Sequence, residues 1–295
     1  MGVSGVEQLF NLIVAVFIVL TMASAGFSTT FDQIKSVLVK PFLILAVLFV
    51  GIVVRPLIGW GAAELTDLAI PAYIAMLIAA SSPGAPFGTK LVMMSKSDVS
   101  SGAVLQVMLA VVMSFTFAPT ANLMIEAANL GSDLTLPVRE ILLVVVALQL
   151  LPFLVGLFVR HWTEETAISW NDYTTKGSSI LFVAVLGGAL LGSWETLVDL
   201  VGDRVLITAA VVSGVMIAVG YLVSLGRSST RRATALIEPM SNSGPTFAAV
   251  AIAFGNDPAI LGALTGILLM QLFVGIGVAS FFGRDSTVAA EATVT

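Results

Sequence analysis

From residue 6 to residue 282, one apolar stretch of membrane-crossing length follows another, parted only by short polar runs. A helix needs roughly 20 mostly apolar residues to cross the hydrocarbon of a bilayer. Only 11% of the chain is charged, against about 25% in a soluble domain. That is too little charge to clothe a surface facing water, and the mean hydropathy of +1.04 agrees. In hydrocarbon every backbone polar group must find its partner within the protein, so such segments fold as helices. The pattern predicts an all-α polytopic membrane protein with about nine transmembrane helices, at 6–27, 37–60, 68–96, 99–125, 135–160, 174–193, 203–225, 230–255 and 258–282. They make one transmembrane domain over residues 1–285, with a short cytoplasmic tail at 286–295. The lipid bilayer is the first partner implied.

Several function classes drop out. Cysteine is absent, which excludes disulfide and thiol chemistry. The sequence carries no phosphate-cradling loop, catalytic-triad spacing or two-histidine metal motif, so neither an enzyme nor a resident cofactor is expected. No Lys/Arg run points to nucleic acid. The single histidine, His161, stands between Arg160 and Trp162, the company expected at a membrane boundary. Ala23-Ser24-Ala25 resembles a signal-peptidase site, but Glu7 is the one charged residue before it. A signal peptide carries positive charge there, so residues 6–27 read as a retained span.

Basic residues orient the chain, because Lys and Arg gather in cytoplasmic loops. Lys35, Lys40, Lys96, Arg160, Lys176, Arg227, Arg231, Arg232 and Arg284 fall on the side of the C-terminus, whereas only Arg139 and Arg204 fall on the other. An N-terminus outside and a C-terminus inside the plasma (inner) membrane follow.

Two spans are interrupted. The third reads Ser81-Ser82-Pro83-Gly84-Ala85-Pro86-Phe87-Gly88-Thr89-Lys90, and the eighth reads Glu238-Pro239-Met240-Ser241-Asn242-Ser243-Gly244-Pro245-Thr246-Phe247. Proline has no N–H and clashes with the carbonyl four residues back, which frees the carbonyls of Ala79, Ser82, Ala235 and Ser241. Gly84 and Phe87 match Gly244 and Phe247 at one offset of 160 residues, and Asp98 and Asp257 follow at nearly that offset. The two segments cross in opposite senses. This is the pattern of inverted repeats, here about 1–127 and 135–283, whose discontinuous helices meet near the midplane where substrate and coupling ions bind. The half-helices starting near Pro86 and Pro245 aim their positive dipole ends at that point.

Charges within the spans are site candidates by default. Glu238 lies roughly 10 Å deep at 1.5 Å per residue, and Lys90 sits at similar depth on the other broken helix. If the two helices cross, they are placed to pair. Arg55, five residues before Trp60, reads as a snorkelling anchor. Gln106 and Gln149 are isolated polar residues within spans; each either lines a cavity or links helices.

At the two breaks the chain resembles the bile acid:sodium symporter family. Pro83-Gly84 in the first and Glu238 ahead of Asn242-Ser243-Gly244 in the second carry the resemblance, with Pro56 near the end of the second span. It extends over nearly the whole chain in helix order, without the first of the ten helices of some members. It implies a panel domain, a core domain and two sodium sites behind the helix crossing. Glu238 stands as the family's acidic ligand. Met240 and Ser241 stand where the family uses a main-chain carbonyl and a Gln, and Thr89 where it uses an Asn. Gly88 replaces a Ser, Gly102 and Gln106 replace two hydroxyl ligands, and Gly51 replaces a Gln of the second site. Glu238, Thr89 and Gln106 are therefore the residues to which a sodium ion would be assigned. Lys90, beside Thr89, is placed to put its own ammonium where a cation would go.

These readings converge on a secondary transporter that carries a small organic anion by alternating access, coupled to sodium, to protons or to neither. Its expected site comprises Glu238, Met240, Ser241, Asn242, Ser243, Gly244, Gly84, Pro86, Thr89, Lys90 and Gln106. A proton-coupled antiporter or efflux carrier of the same build is the rival within transport. A membrane sensor or scaffold is the rival outside it.

Overall fold

The computed structural model describes residues 5–130, 135–192, 204–224 and 226–292. Every element among them is helical. The chain runs α1 (Gly5–Ser28), α2 (Phe31–Leu38), α3 (Pro41–Leu65), α4 (Ile70–Ala80), α5 (Pro86–Met94), α6 (Val99–Ala127), α7 (Val138–Trp162), α8 (Glu164–Gly192), α9 (Val205–Val223), α10 (Ser228–Ile237), α11 (Ser243–Phe254) and α12 (Pro258–Ala292). Six are long and apolar enough to cross a membrane, in α1, α3, α6, α7, α9 and α12. The two interrupted segments are split into α4/α5 and α10/α11, as their prolines dictate.

The structure revises three boundaries. The expected second span, 37–60, is α3 at Pro41–Leu65, and most of the loop expected before it forms the separate helix α2. Thr30 and Gln33 form a reciprocal capping box that starts α2, and Pro41 at the first turn starts α3, where its missing N–H leaves nothing unsatisfied. The expected sixth span begins ten residues early, at Glu164. Its polar first turns read as loop, yet Lys176–Asp172 at 2.6 Å laces them as an i,i+4 pair and Arg160 at the end of α7 pairs with Glu164 at 2.8 Å across the junction. The last helix runs on to Ala292 through most of the expected tail. Parts of the expected loops at 131–134 and 193–203 lie outside the described residues.

Two groups of helices emerge. α1 packs chiefly on α7 and α8. Gly26 and Gly156 meet there, and a Cβ on Gly156 would stand 2.5 Å from the Ala23 carbonyl oxygen. The second group surrounds α4, every residue of which from Ala72 to Ala80 is buried. A helix that is apolar all round belongs at the centre of a bundle, and α3, α6 and α12 enclose it. Outward-facing Leu65, Leu191 and Phe42 are 88%, 81% and 79% exposed. An apolar exterior of that kind suits lipid.

α3 and α7 each contain one π-helical turn, at Val50–Val54 and Val146–Leu150, just ahead of Pro56 and Pro152. Such turns re-aim the side chains around them and recur at functional sites. Here they bring Gly51 and Arg55 from α3, and Gln149 from α7, to the two helix breaks.

Candidate functional site

The two breaks are stitched to each other. The Asn242 N–H donates to the Ser82 carbonyl at 2.8 Å, and the Ser82 hydroxyl donates back to the Asn242 carbonyl at 3.3 Å. Residues 82 and 242 differ by the same 160 that relates the two glycines. The Ser241 hydroxyl donates to the Ala79 carbonyl at 2.8 Å. Two carbonyls freed by Pro83 and Pro86 are thus taken up by the opposite break, which meets the requirement that buried backbone be paired.

Three glutamines complete the work. The Gln106 amide donates to the Gly84 carbonyl at 3.0 Å and its oxygen accepts from the Thr89 hydroxyl at 2.9 Å. Gln271 accepts from the Ser241 N–H and donates to the Ser241 hydroxyl, both at 2.9 Å. Gln149 accepts from the Asn242 amide at 3.2 Å. Gly84 turns the chain at φ +87°, and a Cβ there would stand 2.5 Å from the Ala110 nitrogen. That backbone conformation and that closeness both require glycine.

Arg55 overturns its sequence reading. It does not snorkel; it is only 2% exposed. The π turn points it inward, where its guanidinium donates to the Ser241 hydroxyl at 2.6 Å and to the carbonyls of Met240 and Pro239 at 3.3 and 3.4 Å. Glu238 is fully buried and neither of its oxygens has a hydrogen-bond partner. Its charge partner is Arg55. One oxygen lies 3.5 Å from where a Cβ of Gly51 would be. The expected pairing of Glu238 with Lys90 does not occur, because the Lys90 ammonium reaches across to the Ser179 hydroxyl of α8 at 2.8 Å.

Between the two helix groups lies a cavity of about 920 Å³. Pro86, Thr89, Lys90, Gln106, Met240, Ser241, Asn242, Ser243 and Gly244 line it; Gly84 and Glu238 do not. The structure therefore gathers nine of the eleven expected residues on one wall and leaves the other two behind it. The α1/α8 wall supplies Ser24, Asn171, Thr175, Ser178 and Ser179, and Phe17, Phe87 and Phe182 supply apolar surface. Among the described residues Lys90 is the one ionisable side chain in the lining. The first turns of α5 and α11 open onto the same space. The cavity reaches exposed Val99 and Ser100, at the end of the bundle that carries Lys35, Lys40 and Lys96.

Of the residues assigned to sodium by resemblance, Thr89 and Gln106 are bonded to each other, and Glu238 faces Gly51 and Arg55 instead. Among the described residues no three His, Cys, Asp or Glu side chains gather as metal ligands. Sequence reasoning missed Arg55 and Gln271. The signal available for Arg55 was its place one turn beyond Gly51 and next to Pro56.

At the loop end, Asp98 caps α6 by accepting from the Ser101 N–H at 3.0 Å and also accepts from the Thr230 hydroxyl of α10 at 2.9 Å. Partial burial works to raise its pKa. The bonds from Ser101 and Thr230, with Lys40 nearby, outweigh that and hold the carboxyl below its ordinary value.

No curated protein compared with this chain matches it. A family model, that of the sodium bile acid symporter family, matches residues 15–200. The match takes in the first break but not the second. With more than half of the chain matched, the chain belongs to the sodium bile acid symporter family, a family of membrane transporters.

Proposed function

We propose that the protein is a secondary carrier of a small organic anion, working by alternating access at the helix crossing. The observation that carries this is the cavity at the crossing, into which the cation Lys90 and two helix N-termini open. Ligand cavities of roughly 300–1,000 Å³ with apolar walls and a few convergent polar groups are the usual form of a small-molecule site. Helix N-termini and an ammonium both favour an anion. Asn242, Ser243 and Thr89 supply hydrogen bonds on one wall, and Ser179, Thr175 and Asn171 on the other.

The wider frame is nine spans in two inverted repeats, about 1–127 and 135–283. A core of α3–α6 and α9–α12 moves against a panel of α1, α7 and α8. The breaks are stitched by backbone to one another, so they travel as a unit, and across the cavity Lys90 reaches Ser179 and Phe87 stacks on Phe182. With basic loops inside, the N-terminus lies outside the inner membrane. The cavity then opens to the cytoplasm.

The test is a thermal-stability screen of purified protein against organic anions of graded size, followed by uptake of the best into proteoliposomes. A ligand of the folded state raises its melting temperature by mass action. The expected result is stabilisation by a subset of anions that also accumulate in vesicles, with both lost in Asn242→Leu. Failure of every anion to stabilise or to enter overturns the carrier reading and leaves a sensor or scaffold. A second reading, proton coupling, is favoured by the buried Glu238 carboxylate, whose oxygens hold no hydrogen bond. It predicts a pH-dependent flux that Glu238→Gln flattens, and a flux with the same pH profile in that variant excludes it.

A further inference from the structure

Unwound backbone carbonyls are where transporters with discontinuous helices hold a coupling cation. In this chain those groups are already taken. Arg55 donates to the carbonyls of Pro239 and Met240 and to the hydroxyl of Ser241, beside Glu238. We propose that Arg55 is a tethered cation: its guanidinium stands permanently where a free coupling ion would sit, so the carrier binds no sodium at the crossing.

This rests on the crossing being a carrier's ion site, and three observations support it. First, Gly51 offers no side chain as an ion ligand, and the carboxylate of Glu238 lies against the space this leaves. A larger side chain at that position would meet Leu109 as well as Glu238. Second, Arg55 is fully buried, within reach of the Glu238 charge but not in ion-pair contact with it. Guanidinium is the cation suited to such a place, since it keeps its charge when buried and spreads its donors over several oxygens in a fixed fork. Third, neither Glu238 oxygen holds a hydrogen bond, so the carboxylate answers to charge and not to a local donor network. A cation fixed to α3 cannot leave with substrate. A sodium gradient then has nothing at this point to act on, and transport follows the gradient of the anion or of protons.

The experiment is equilibrium binding of radioactive sodium to the purified protein, paired with melting curves in sodium chloride and in choline chloride, both without substrate. Wild type is expected to bind no displaceable sodium and to melt at the same temperature in both salts. Arg55→Ala opens the place beside Glu238 and is expected to gain sodium binding and a melting temperature several degrees higher in sodium than in choline. Arg55→Lys keeps a charge there and is expected to stay indifferent to sodium. Saturable sodium binding by wild type, lost in Glu238→Gln, would overturn the proposal. So would a folded Arg55→Ala that ignores sodium. If Arg55→Ala does not fold, wild type and Arg55→Lys still decide. The anion screen, run in choline, is independent of this result. Stabilisation by anions together with sodium binding sinks the tethered cation alone, whereas sodium indifference without any anion effect sinks the carrier alone.

Discussion

The two helix breaks have the same shape and opposite chemistry. The break between α4 and α5 carries no charge, and its freed carbonyls accept from Asn242, Ser241 and Gln106. The break between α10 and α11 carries Glu238 and draws in side chains from three other helices: Arg55 from α3, Gln149 from α7 and Gln271 from α12. The first is mostly completed by the second, and the second by the rest of the molecule. An interrupted helix therefore fixes where polar groups must gather, but not which ones. Substitutions at the second break should accordingly do more damage than matched ones at the first.

The largest effect is expected at Arg55. Removing one partner of a buried charge pair costs about 3–5 kcal/mol, whereas replacing both by apolar groups is often neutral. Arg55→Met should lower the melting temperature most of any single change, and the double variant Arg55→Met/Glu238→Leu should recover part of that loss. If the single and double variants melt alike, the two charges are not coupled and the contrast between the breaks fails.

The glutamines come next. Gln271→Leu leaves the buried Ser241 N–H without its acceptor, at about 1–3 kcal/mol. Gln106→Leu should cost less, because Gln106 lines the cavity and water can take over at the Gly84 carbonyl. Equal losses in chemical melts would mean that the first break is as dry as the second.

Lys90→Met sharpens the comparison from the cavity side. Lys90 is half-buried and bonded only to Ser179 among its described hydrogen bonds, so stability should change by less than about 0.5 kcal/mol. Affinity for an organic anion should fall tenfold or more, since a charge-assisted hydrogen bond is worth about 1.5–3 kcal/mol. Titration by thermal shift separates the two readouts.

The smallest effect concerns the two aspartates that follow the breaks. Asp257 caps α12 through the N–H groups of Ala259 and Ile260, whereas Asp98 also ties α6 to α10 through Thr230. The Asp98 carboxyl is held below its ordinary value. Its stabilisation is therefore present above the ordinary carboxylate range and is lost as pH falls through the lowered value. Asp98→Asn should melt lower near neutral pH and show a shallower fall in stability on acidification, with the two curves meeting at low pH. A constant gap at every pH would show that ionisation of Asp98 does not contribute.

Much of this was legible in the sequence. Apolar runs fixed the helical membrane class, because lipid leaves no alternative to internally bonded backbone. The prolines at 83, 86, 239 and 245 fixed the breaks, because proline cannot continue a helix without freeing a carbonyl. The offset of 160 matched Gly84 and Phe87 to Gly244 and Phe247 in the sequence, and the structure adds that Ser82 and Asn242, at the same offset, bond to each other. Lys90 stands out in the sequence as a charge within a span, but the structure gives it Ser179 and not Glu238 as its partner. Arg55 was taken for an anchor, since its neighbours Val53, Val54 and Trp60 look the same on either side of a helix.

What the sequence determined alone was local: which segments are helices, where they stop, and which charges lie too deep for comfort. What the tertiary structure decided was direction. A π turn ahead of Pro56 rotates Arg55 from the lipid side into the crossing, and another ahead of Pro152 brings Gln149 to Asn242. The rotation of a helix face is set by contacts among α3, α6 and the second break, many residues apart in the chain. No pattern read along one segment contains it.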